Sequence, residues 1–180
     1  QCNCYVVIDE AYFGFYKKTL LPLVKKYNNL VILRTFSKAI GMAGIRAGFI
    51  VSNKKTIKRL YAFRPMYEIS SIAAVVVEQI IKKDKITNNY IKETLEGKKY
   101  LIKEISKLGL NYYKTYSNFM LVDFKNKKTV NKIYKNLLNS KILIRKAPNI
   151  AACKTCLRFT LGPVSYMKIL ANNIKKQLKN

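Results

Sequence analysis

Residues 30–48 read LVILRTFSKAIGMAGIRAG, and this stretch indicates the fold of the whole chain. It opens with an apolar run at residues 30–33, which is typical of a buried strand and ends in polar residues. A similar run at residues 5–8 precedes it, and a third at residues 47–51 follows it. Runs of this kind, about 20 residues apart, are typical of the central strands of a largely parallel sheet. Because such sheets bind ligands at the ends of their strands, the polar residues that follow these runs are candidate site residues.

Beyond residue 53 the apolar spacing becomes helical. Residues 54–63 are predicted to form a helix that ends before Pro65, since the residue before a proline disfavours helical geometry. A long helical stretch is predicted at residues 71–107, with an interruption at residues 85–87. Four of its apolar residues are spaced so that they are predicted to face a core: Ile72, Val75, Val76 and Ile80.

After Gly109 the pattern indicates a smaller unit. Strands are predicted at residues 119–124, 142–144 and 157–161, and apolar residues at helical spacing predict two helices, one after the first strand and one after the last. We therefore expect an α/β fold with two domains. Residues 1–100 are predicted to hold a partial large domain and a connecting helix, and residues 101–180 a small carboxy-terminal α/β domain.

The formal net charge of +26 is compatible with a basic, noncatalytic nucleic-acid-binding domain. However, the 35 basic residues comprise 29 Lys and only 6 Arg, and the lysines are spread along the whole chain. Nucleic-acid sites usually cluster Arg with aromatic residues in one patch. The composition therefore favours a solvated surface, and anionic small substrates remain compatible with it. No apolar run approaches the roughly 20 residues that cross a bilayer, so no membrane partner is expected.

Cys153 and Cys156 have the spacing of a zinc-binding or redox-active pair. The chain has no His, and its two other cysteines, Cys2 and Cys4, lie at its beginning. We therefore expect no metal site and free thiols, as in proteins of the reducing cytoplasm. The chain does not begin with Met and passes at once into the apolar run at residues 5–8, so we expect it to have been cut within a fold.

Four short motifs hold the residues with candidate chemistry: Asp9-Glu10-Ala11-Tyr12, Thr35-Phe36-Ser37-Lys38-Ala39, Gly44-Ile45-Arg46-Ala47-Gly48-Phe49 and Leu157-Arg158-Phe159-Thr160-Leu161-Gly162. In this order they closely resemble the fold-type I pyridoxal-phosphate (PLP) aminotransferases, and within them the histidinol-phosphate aminotransferase group. The resemblance covers essentially all 180 residues, as the later half of such an enzyme. It implies the aspartate aminotransferase-like fold, pyridoxal 5'-phosphate as the cofactor, and a homodimer as the full-length enzyme.

The resemblance also implies a role for each residue around the cofactor. Lys38 resembles the lysine that forms a Schiff base with PLP, and a lysine attacks an aldehyde only when it is neutral. Asp9 resembles the carboxylate that keeps the pyridine nitrogen protonated, which PLP needs in order to accept electrons. Tyr12 would reach the phenolic oxygen of the cofactor, so that these three residues would be the catalytic ones. Ser37 and Arg46 would bind the phosphate, Arg46 as a bidentate clamp.

The use of Arg supplies an argument that does not depend on the family. A chain that uses Lys nearly five times as often as Arg is expected to keep Arg where a planar fork is needed. By resemblance, Arg158 would clamp the α-carboxylate of the amino acid, and Asn118 would line its pocket. Arg64 and Tyr67 lie where this chain departs from the Pro-Tyr-Asn that the family often has. We expect both to meet the substrate side chain, with Arg64 facing a phosphate or phosphonate.

The expected function is amino-group transfer between an amino acid and a 2-oxo acid, as part of amino-acid metabolism. Lys38, once displaced from the cofactor by the amino donor, would move the proton that leaves the donor Cα. The nearest alternative is a PLP-dependent decarboxylase of the threonine-phosphate decarboxylase type, which would use the same lysine and aspartate. These residues alone are expected to be incomplete, because the resemblance places the phosphate cup and the ring-stacking residue upstream.

Overall fold

The computed structural model describes residues 4–146 and 153–179. Its contacts divide the chain into two compact units, Gln1–Ile91 and Lys92–Asn180. Both units contain strands and helices, which confirms the predicted α/β class. No helix within the described residues is long and apolar enough to cross a membrane.

The first unit contains a three-stranded sheet in the order β1-β2-β3. The strands are β1 (Val6–Asp9), β2 (Leu30–Thr35) and β3 (Gly48–Val51), so all three predicted strands exist. β1 and β2 run parallel, and Asp9 lies opposite Leu33. The polar residues that follow these two strands therefore leave the sheet at the same edge.

The prediction of a largely parallel sheet is wrong for β3, which pairs antiparallel with β2. A parallel partner would need a crossover connection, usually a helix. Instead the link turns back on itself: Phe36 N donates to Ala47 O at 3.2 Å, and Met42 N donates to Phe36 O at 3.0 Å. β3 therefore lies beside β2, and the loop that joins these two strands contains Lys38.

The helices of the first unit begin at side-chain caps where the sequence offers them. Asn53 Oδ1 accepts a hydrogen bond from Thr56 N at 3.0 Å, and Ser70 Oγ accepts one from Ala73 N at 3.1 Å. The helical segments are α1 (Phe13–Tyr16), two 3₁₀ helices (Leu21–Lys25 and Ala43–Ile45), α2 (Lys54–Tyr61), α3 (Ser71–Lys82) and α4 (Asp84–Lys107). The break between α3 and α4 falls at Lys83, slightly earlier than predicted. The predicted domain boundary after residue 100 falls inside α4 and stays a prediction.

The predicted core-facing residues of α3 are half right. Val76 and Ile80 are half-buried, as predicted, and the helical spacing leads from them to Ala73, which is 1% exposed. The prediction is wrong for Ile72 and Val75, which are 76% and 58% exposed. The helix is apolar on nearly every side, so spacing alone does not select a face.

The second unit contains a four-stranded sheet in the order β4-β5-β7-β6. The strands are β4 (Asn111–Tyr112), β5 (Phe119–Asp123), β6 (Arg145–Lys146) and β7 (Cys156–Thr160), and the recorded pairs are all antiparallel. The prediction of a strand at residues 142–144 is wrong, because the short strand β6 begins at Arg145. Helices α5 (Lys127–Asn139) and α6 (Val164–Lys179) complete the unit with the end of α4.

The core of the second unit follows the alternation of its two central strands. Met120 and Val122 on β5 are opposite Phe159 and Leu157 on β7, and all four side chains are 0% exposed. Arg158, between the latter two, is half-buried and therefore points away from this core. The sequence alternation thus sorts β7 into a packing face and a face that carries a functional candidate.

The cysteines are only partly as predicted. Cys153 and Cys156 are buried free thiols, but Cys4 is disulfide-bonded, so the expectation of free thiols is wrong for that residue. Burial, together with the nearby Asp123 carboxylate and Cys153, raises the pKa of the Cys156 thiol to about 11. A metal ligand or a redox nucleophile must be a thiolate, so this environment disfavours both roles for Cys156.

Candidate active site at the ends of the first two strands

Asp9 is the last residue of β1, and its side chain shapes the turn that follows. Its Oδ1 accepts a hydrogen bond from Ala11 N at 2.9 Å, which bends the chain away from the sheet. Among the described residues, its Oδ2 has no hydrogen-bond partner, and the residue is exposed. One carboxylate oxygen at the strand end is thus available to a ligand.

Lys38 and Tyr12 come from different strand ends and lie together. The Nζ of Lys38 is 5.6 Å from the centroid of the Tyr12 ring, and both residues are half-buried. In the part of the chain that the structure describes, the Lys38 amine forms no ion pair. An amine without a carboxylate partner in a half-buried position is suited to act as a nucleophile.

The backbone between β2 and Lys38 is fixed by Thr35. Its Oγ1 accepts from Ser37 N at 3.0 Å and donates to Ala47 O at 3.4 Å. This leaves the Ser37 hydroxyl with no recorded hydrogen bond within residues 4–146 and 153–179. Ser37 can therefore donate its proton to a ligand without breaking a hydrogen bond of the protein.

Arg46 lies in the same loop and has an unusual backbone. Its φ of 53° is left-handed, which is uncommon for a residue with a side chain and marks many functional positions. Its Nη1 donates to Ala43 O at 3.1 Å, and the residue is exposed. The structure records no contact between Arg46 and Ser37, so these two predicted phosphate ligands are not brought together by direct contact.

Arg158 and Asn118 lie in the second unit. The Arg158 guanidinium carbon is 3.9 Å from the centroid of the Phe119 ring, and Arg145 lies opposite Arg158 across the strand pair. Among the described residues, no carboxylate pairs with Arg158. Like charges directly opposite on neighbouring strands repel, so an anion bound at Arg158 would relieve this repulsion. The Asn118 carbonyl accepts from Leu161 N at 2.8 Å, which fixes its backbone to the end of β7.

Arg64 and Tyr67 lie in an exposed segment and have fewer contacts that indicate a binding role than the other candidate residues. The Arg64 guanidinium carbon is 3.8 Å from the centroid of the Tyr61 ring, and its Nη1 is 3.5 Å from Glu68 Oε2. Tyr67 is 86% exposed. An exposed ion pair of this kind is weak, so Glu68 would compete little with a substrate anion. The anion-binding role of Arg64 stays a prediction.

A buried ion pair that was not predicted from the sequence lies beside this site. Arg34 Nη2 lies 2.7 Å from Glu10 Oε2, and both side chains are largely buried. Burial alone would raise the pKa of the Glu10 carboxyl, but hydrogen bonds from Leu20 N and Thr19 Oγ1, together with Arg34, lower it below its usual value. The sequence carries a signal for Glu10 alone, which lies two residues after the apolar run at residues 5–8, and none for its partner.

The groups in the first unit fit a flat, phosphate-bearing aldehyde. Lys38 offers an amine for the carbonyl carbon, and Asp9 Oδ2 offers an acceptor for a protonated ring nitrogen. The Ser37 hydroxyl and the Arg46 guanidinium are the kinds of donor that bind phosphate. Such a set can bind a carbonyl compound covalently and hold a positive charge on its ring.

Comparisons with known proteins agree with this chemistry. The family model for aminotransferase class I and II matches residues 1–174. Histidinol-phosphate aminotransferase from Thermoanaerobacter sp. (strain X514) is 36% identical over 181 residues, which cover 99% of this chain and 50% of that protein. The corresponding protein from Clostridium novyi (strain NT) is 37% identical over 161 residues, covering 89% of this chain and 44% of that one. The chain thus spans about half the length of the curated relatives that it matches.

Solved structures share the fold. Histidinol-phosphate aminotransferase from Clostridium acetobutylicum superposes with a TM-score of 0.85 at 24% identity, covering 98% of this chain and 55% of that one. The Sinorhizobium meliloti enzyme, solved in complex with pyridoxal-5'-phosphate, gives 0.83 at 23% identity, covering 97% and 49%. Aspartate aminotransferase from Thermotoga maritima gives 0.77 at 15% identity, covering 99% and 48%. The predicted aspartate aminotransferase-like fold is confirmed.

Proposed function

Because this chain belongs to the class I and II aminotransferase family, we propose that the polypeptide containing it is a PLP-dependent enzyme that transfers amino groups. The donor is an amino acid and the acceptor a 2-oxo acid. The observation that carries the proposal is the placement of the Lys38 amine beside Tyr12, at the sheet edge where Asp9 ends β1. The parallel pairing of β1 and β2 supports the proposal, because Asp9 at the end of β1 and the loop that follows β2 leave the sheet at the same edge.

Each residue of the first unit has a distinct task in this proposal. When bound, PLP supplies an aldehyde and a ring that accepts electrons. Lys38 Nζ would hold the cofactor at its carbonyl carbon, with loss of water, and, once released by the donor amine, would accept the proton from the donor Cα. Asp9 Oδ2 holds the proton on the ring nitrogen, and Tyr12 lies beside the reacting amine. Ser37 and Arg46 donate hydrogen bonds to the phosphate.

The substrate side of the proposal rests on charge. Arg158, which has no carboxylate partner within the described residues, binds the α-carboxylate of the donor, and Asn118 lines the same pocket. Arg64 and Tyr67 meet the substrate side chain. The net charge of +26 favours an anionic substrate, and the relatives named above are histidinol-phosphate aminotransferases. The proposed substrate therefore carries a second anion, such as a phosphate.

The proposal extends to assembly and compartment. The enzyme is a homodimer in the cytoplasm, with no nucleic-acid partner. The family resemblance supports both the dimer and the compartment. Light scattering of the purified protein tests the dimer directly: the mass of a monomer at working concentration contradicts it.

A donor screen tests the proposed activity. The polypeptide containing this chain is incubated with PLP, a 2-oxo acid and amino donors with or without a phosphate, and 2-oxo acid formation and CO₂ release are both measured. We expect amino-group transfer, preferentially from a phosphorylated donor, without CO₂. Release of CO₂ in step with donor loss would instead identify a decarboxylase.

Arg158→Lys is the informative variant for the donor. It replaces a bidentate contact to a carboxylate by a single point charge. We therefore expect kcat/KM for amino donors to fall by an amount that corresponds to about 1.5–3 kcal/mol of lost transition-state stabilisation. Arg59→Lys is the matched control: Arg59 is exposed on α2 and donates to Tyr5 Oη at 3.2 Å, so its replacement should leave the donor kinetics unchanged. Equal kinetics for Arg158→Lys and wild type would show that the carboxylate binds elsewhere.

A further inference from the structure

Two segments carry the proposed catalytic groups, and one arginine links them: it lies on the strand that leads into the second segment, and its side chain contacts the first. Asp9 and Tyr12 lie on the turn after β1, whereas Lys38 lies on the loop after β2. Arg34, on β2, is four residues before Lys38 in sequence. Its guanidinium contacts Glu10, next to Asp9, and Phe13, next to Tyr12.

The contacts of Arg34 restrain the turn in several directions. Its Nε donates to Glu10 Oε2 at 2.9 Å and its Nη2 donates to Thr19 Oγ1 at 3.0 Å. The guanidinium carbon is 3.6 Å from the centroid of the Phe13 ring, so the flat face of the group is also occupied. An in-plane fork and an occupied face together define an orientation, which a single point charge does not.

Glu10 completes the connection. Besides Arg34 it accepts hydrogen bonds from Thr19 Oγ1 at 3.0 and 2.8 Å and from Leu20 N at 2.7 Å. Its own backbone N donates to Leu33 O at 3.0 Å, which extends the ladder between β1 and β2 by one residue. Glu10 is therefore fixed to β2 through its backbone and through its side chain.

Stability alone does not account for such a pair. Removing two charges from water costs about as much as their attraction returns, and well-packed apolar residues are often as stable in the same place. What the charged pair adds is a defined geometry between two segments. The turn with Asp9 and Tyr12 and the loop with Lys38 are the segments so joined.

We propose that Glu10 and Arg34 are positioning residues, whose buried ion pair holds the turn carrying Asp9 and Tyr12 against the strand that leads to Lys38. The inference rests on the proposed function for its catalytic consequence. Neither residue contacts Lys38 in the structure, so each acts through the backbone that it fixes. Losing the pair lets Lys38 and Tyr12 separate without removing a reacting group.

The experiment uses the polypeptide that contains this chain, as wild type, Arg34→Met, Arg34→Lys and Thr19→Val. Arg59→Met serves as the control, because it removes an Arg from the surface helix α2. With PLP bound, kcat, the KM of the amino donor and the pH midpoint of the cofactor absorbance are measured. Without PLP, trace acetylation followed by mass spectrometry reports the reactivity of Lys38 relative to the exposed Lys58.

We expect kcat of Arg34→Met to fall about 100-fold, the loss that a misplacement of about 1 Å produces, with little change in KM. The absorbance midpoint should shift, and Lys38 should acetylate faster in the protein without PLP. Arg34→Lys should lie between wild type and Arg34→Met, because Lys keeps the charge but not the fork. Thr19→Val removes only a bridging hydroxyl, so it should show smaller changes in the same direction. This variant keeps the proposal testable if Arg34→Met does not fold.

The proposal is overturned if Thr19→Val and the folded Arg34 variants keep the absorbance midpoint and the Lys38 acetylation of wild type. A lower melting temperature in these variants would then show only a structural role for the pair. The proposed function fails separately: a wild type that shows no cofactor absorbance contradicts it. In that case the acetylation of Lys38 still decides whether the pair positions this amine.

Discussion

The second unit buries its sheet in a core of its own, whereas much of the first sheet is exposed. Of the described residues, fifteen buried apolar ones form one cluster in the second unit. Around the first sheet, one described cluster is formed by Val24, Leu30 and Ile32, and Val31, Phe36 and Ala47 are also buried. The flanking strands expose large apolar residues, with Val7 at 55% and Phe49 at 47%.

Most of the candidate site nevertheless lies in the first unit. There an Asx turn at Asp9, the Thr35 hydroxyl and the Glu10–Arg34 pair fix the backbone beside the candidate groups. Polar contacts define direction, and apolar packing supplies most of the free energy of folding. In this chain, the contacts that orient the proposed catalytic groups are therefore largely separate from those that stabilise the second unit.

The largest expected effect comes from a matched pair of leucines in the second unit. Leu157 is 0% exposed and Leu143 is 87% exposed. Leu157→Ala should lower the free energy of unfolding by about 2–5 kcal/mol, because it removes buried methyl groups and leaves a cavity. Leu143→Ala should stay within about 0.5 kcal/mol of wild type. Urea denaturation followed by circular dichroism measures both, and equal effects would contradict a closed core in this unit.

A pair of glycines makes the corresponding test in the first unit. A Cβ at Gly14 would overlap the Cβ of Ala39, the residue after Lys38, whereas a Cβ at Gly44 would meet nothing. Gly14→Ala should cost about 1–3 kcal/mol of unfolding free energy, since α1 must move away from the Lys38 loop. Gly44→Ala should be neutral. Denaturation measures both variants. A neutral Gly14→Ala would show that α1 and the Lys38 loop do not pack as closely at Gly14 and Ala39 as in the structure.

The smallest effect concerns acid stability. The pKa of Glu10 is lower in the folded chain than the usual 4.5, so its ionised form stabilises the fold above that value. This contribution is lost as the pH falls from about 4.5 through the lower folded pKa. Glu10→Gln should remove that part of the pH dependence, as read from unfolding curves between pH 6 and roughly pH 2. An identical slope in wild type and Glu10→Gln would mean that Glu10 does not hold this pKa shift.

Much of the site could be predicted from sequence because its residues follow recognisable strands. Asp9 and Lys38 each come soon after an apolar run, and the ends of parallel strands meet at one sheet edge. The direction of β3 could not be predicted this way, because an apolar run carries no sign of its direction. On α3, Ile72 was predicted to face a core where Ala73 does, since both residues are apolar.

The Glu10–Arg34 pair could not be predicted for a different reason. Its two residues are 24 positions apart, and their contact depends on the register between β1 and β2. Charge content offers no help, because a basic chain supplies 35 possible cationic partners for each carboxylate. Such a contact becomes visible only when the strands are paired.

The most direct test of the account is to locate the cofactor on the chain. The polypeptide containing these residues is incubated with PLP, reduced with borohydride, digested and mapped by mass spectrometry, with Lys38→Ala as the control. The account predicts that one of the 29 lysines, Lys38, carries the reduced pyridoxyl group, and that the control carries none. A pyridoxyl group found specifically on another lysine, or retained in Lys38→Ala, would contradict it.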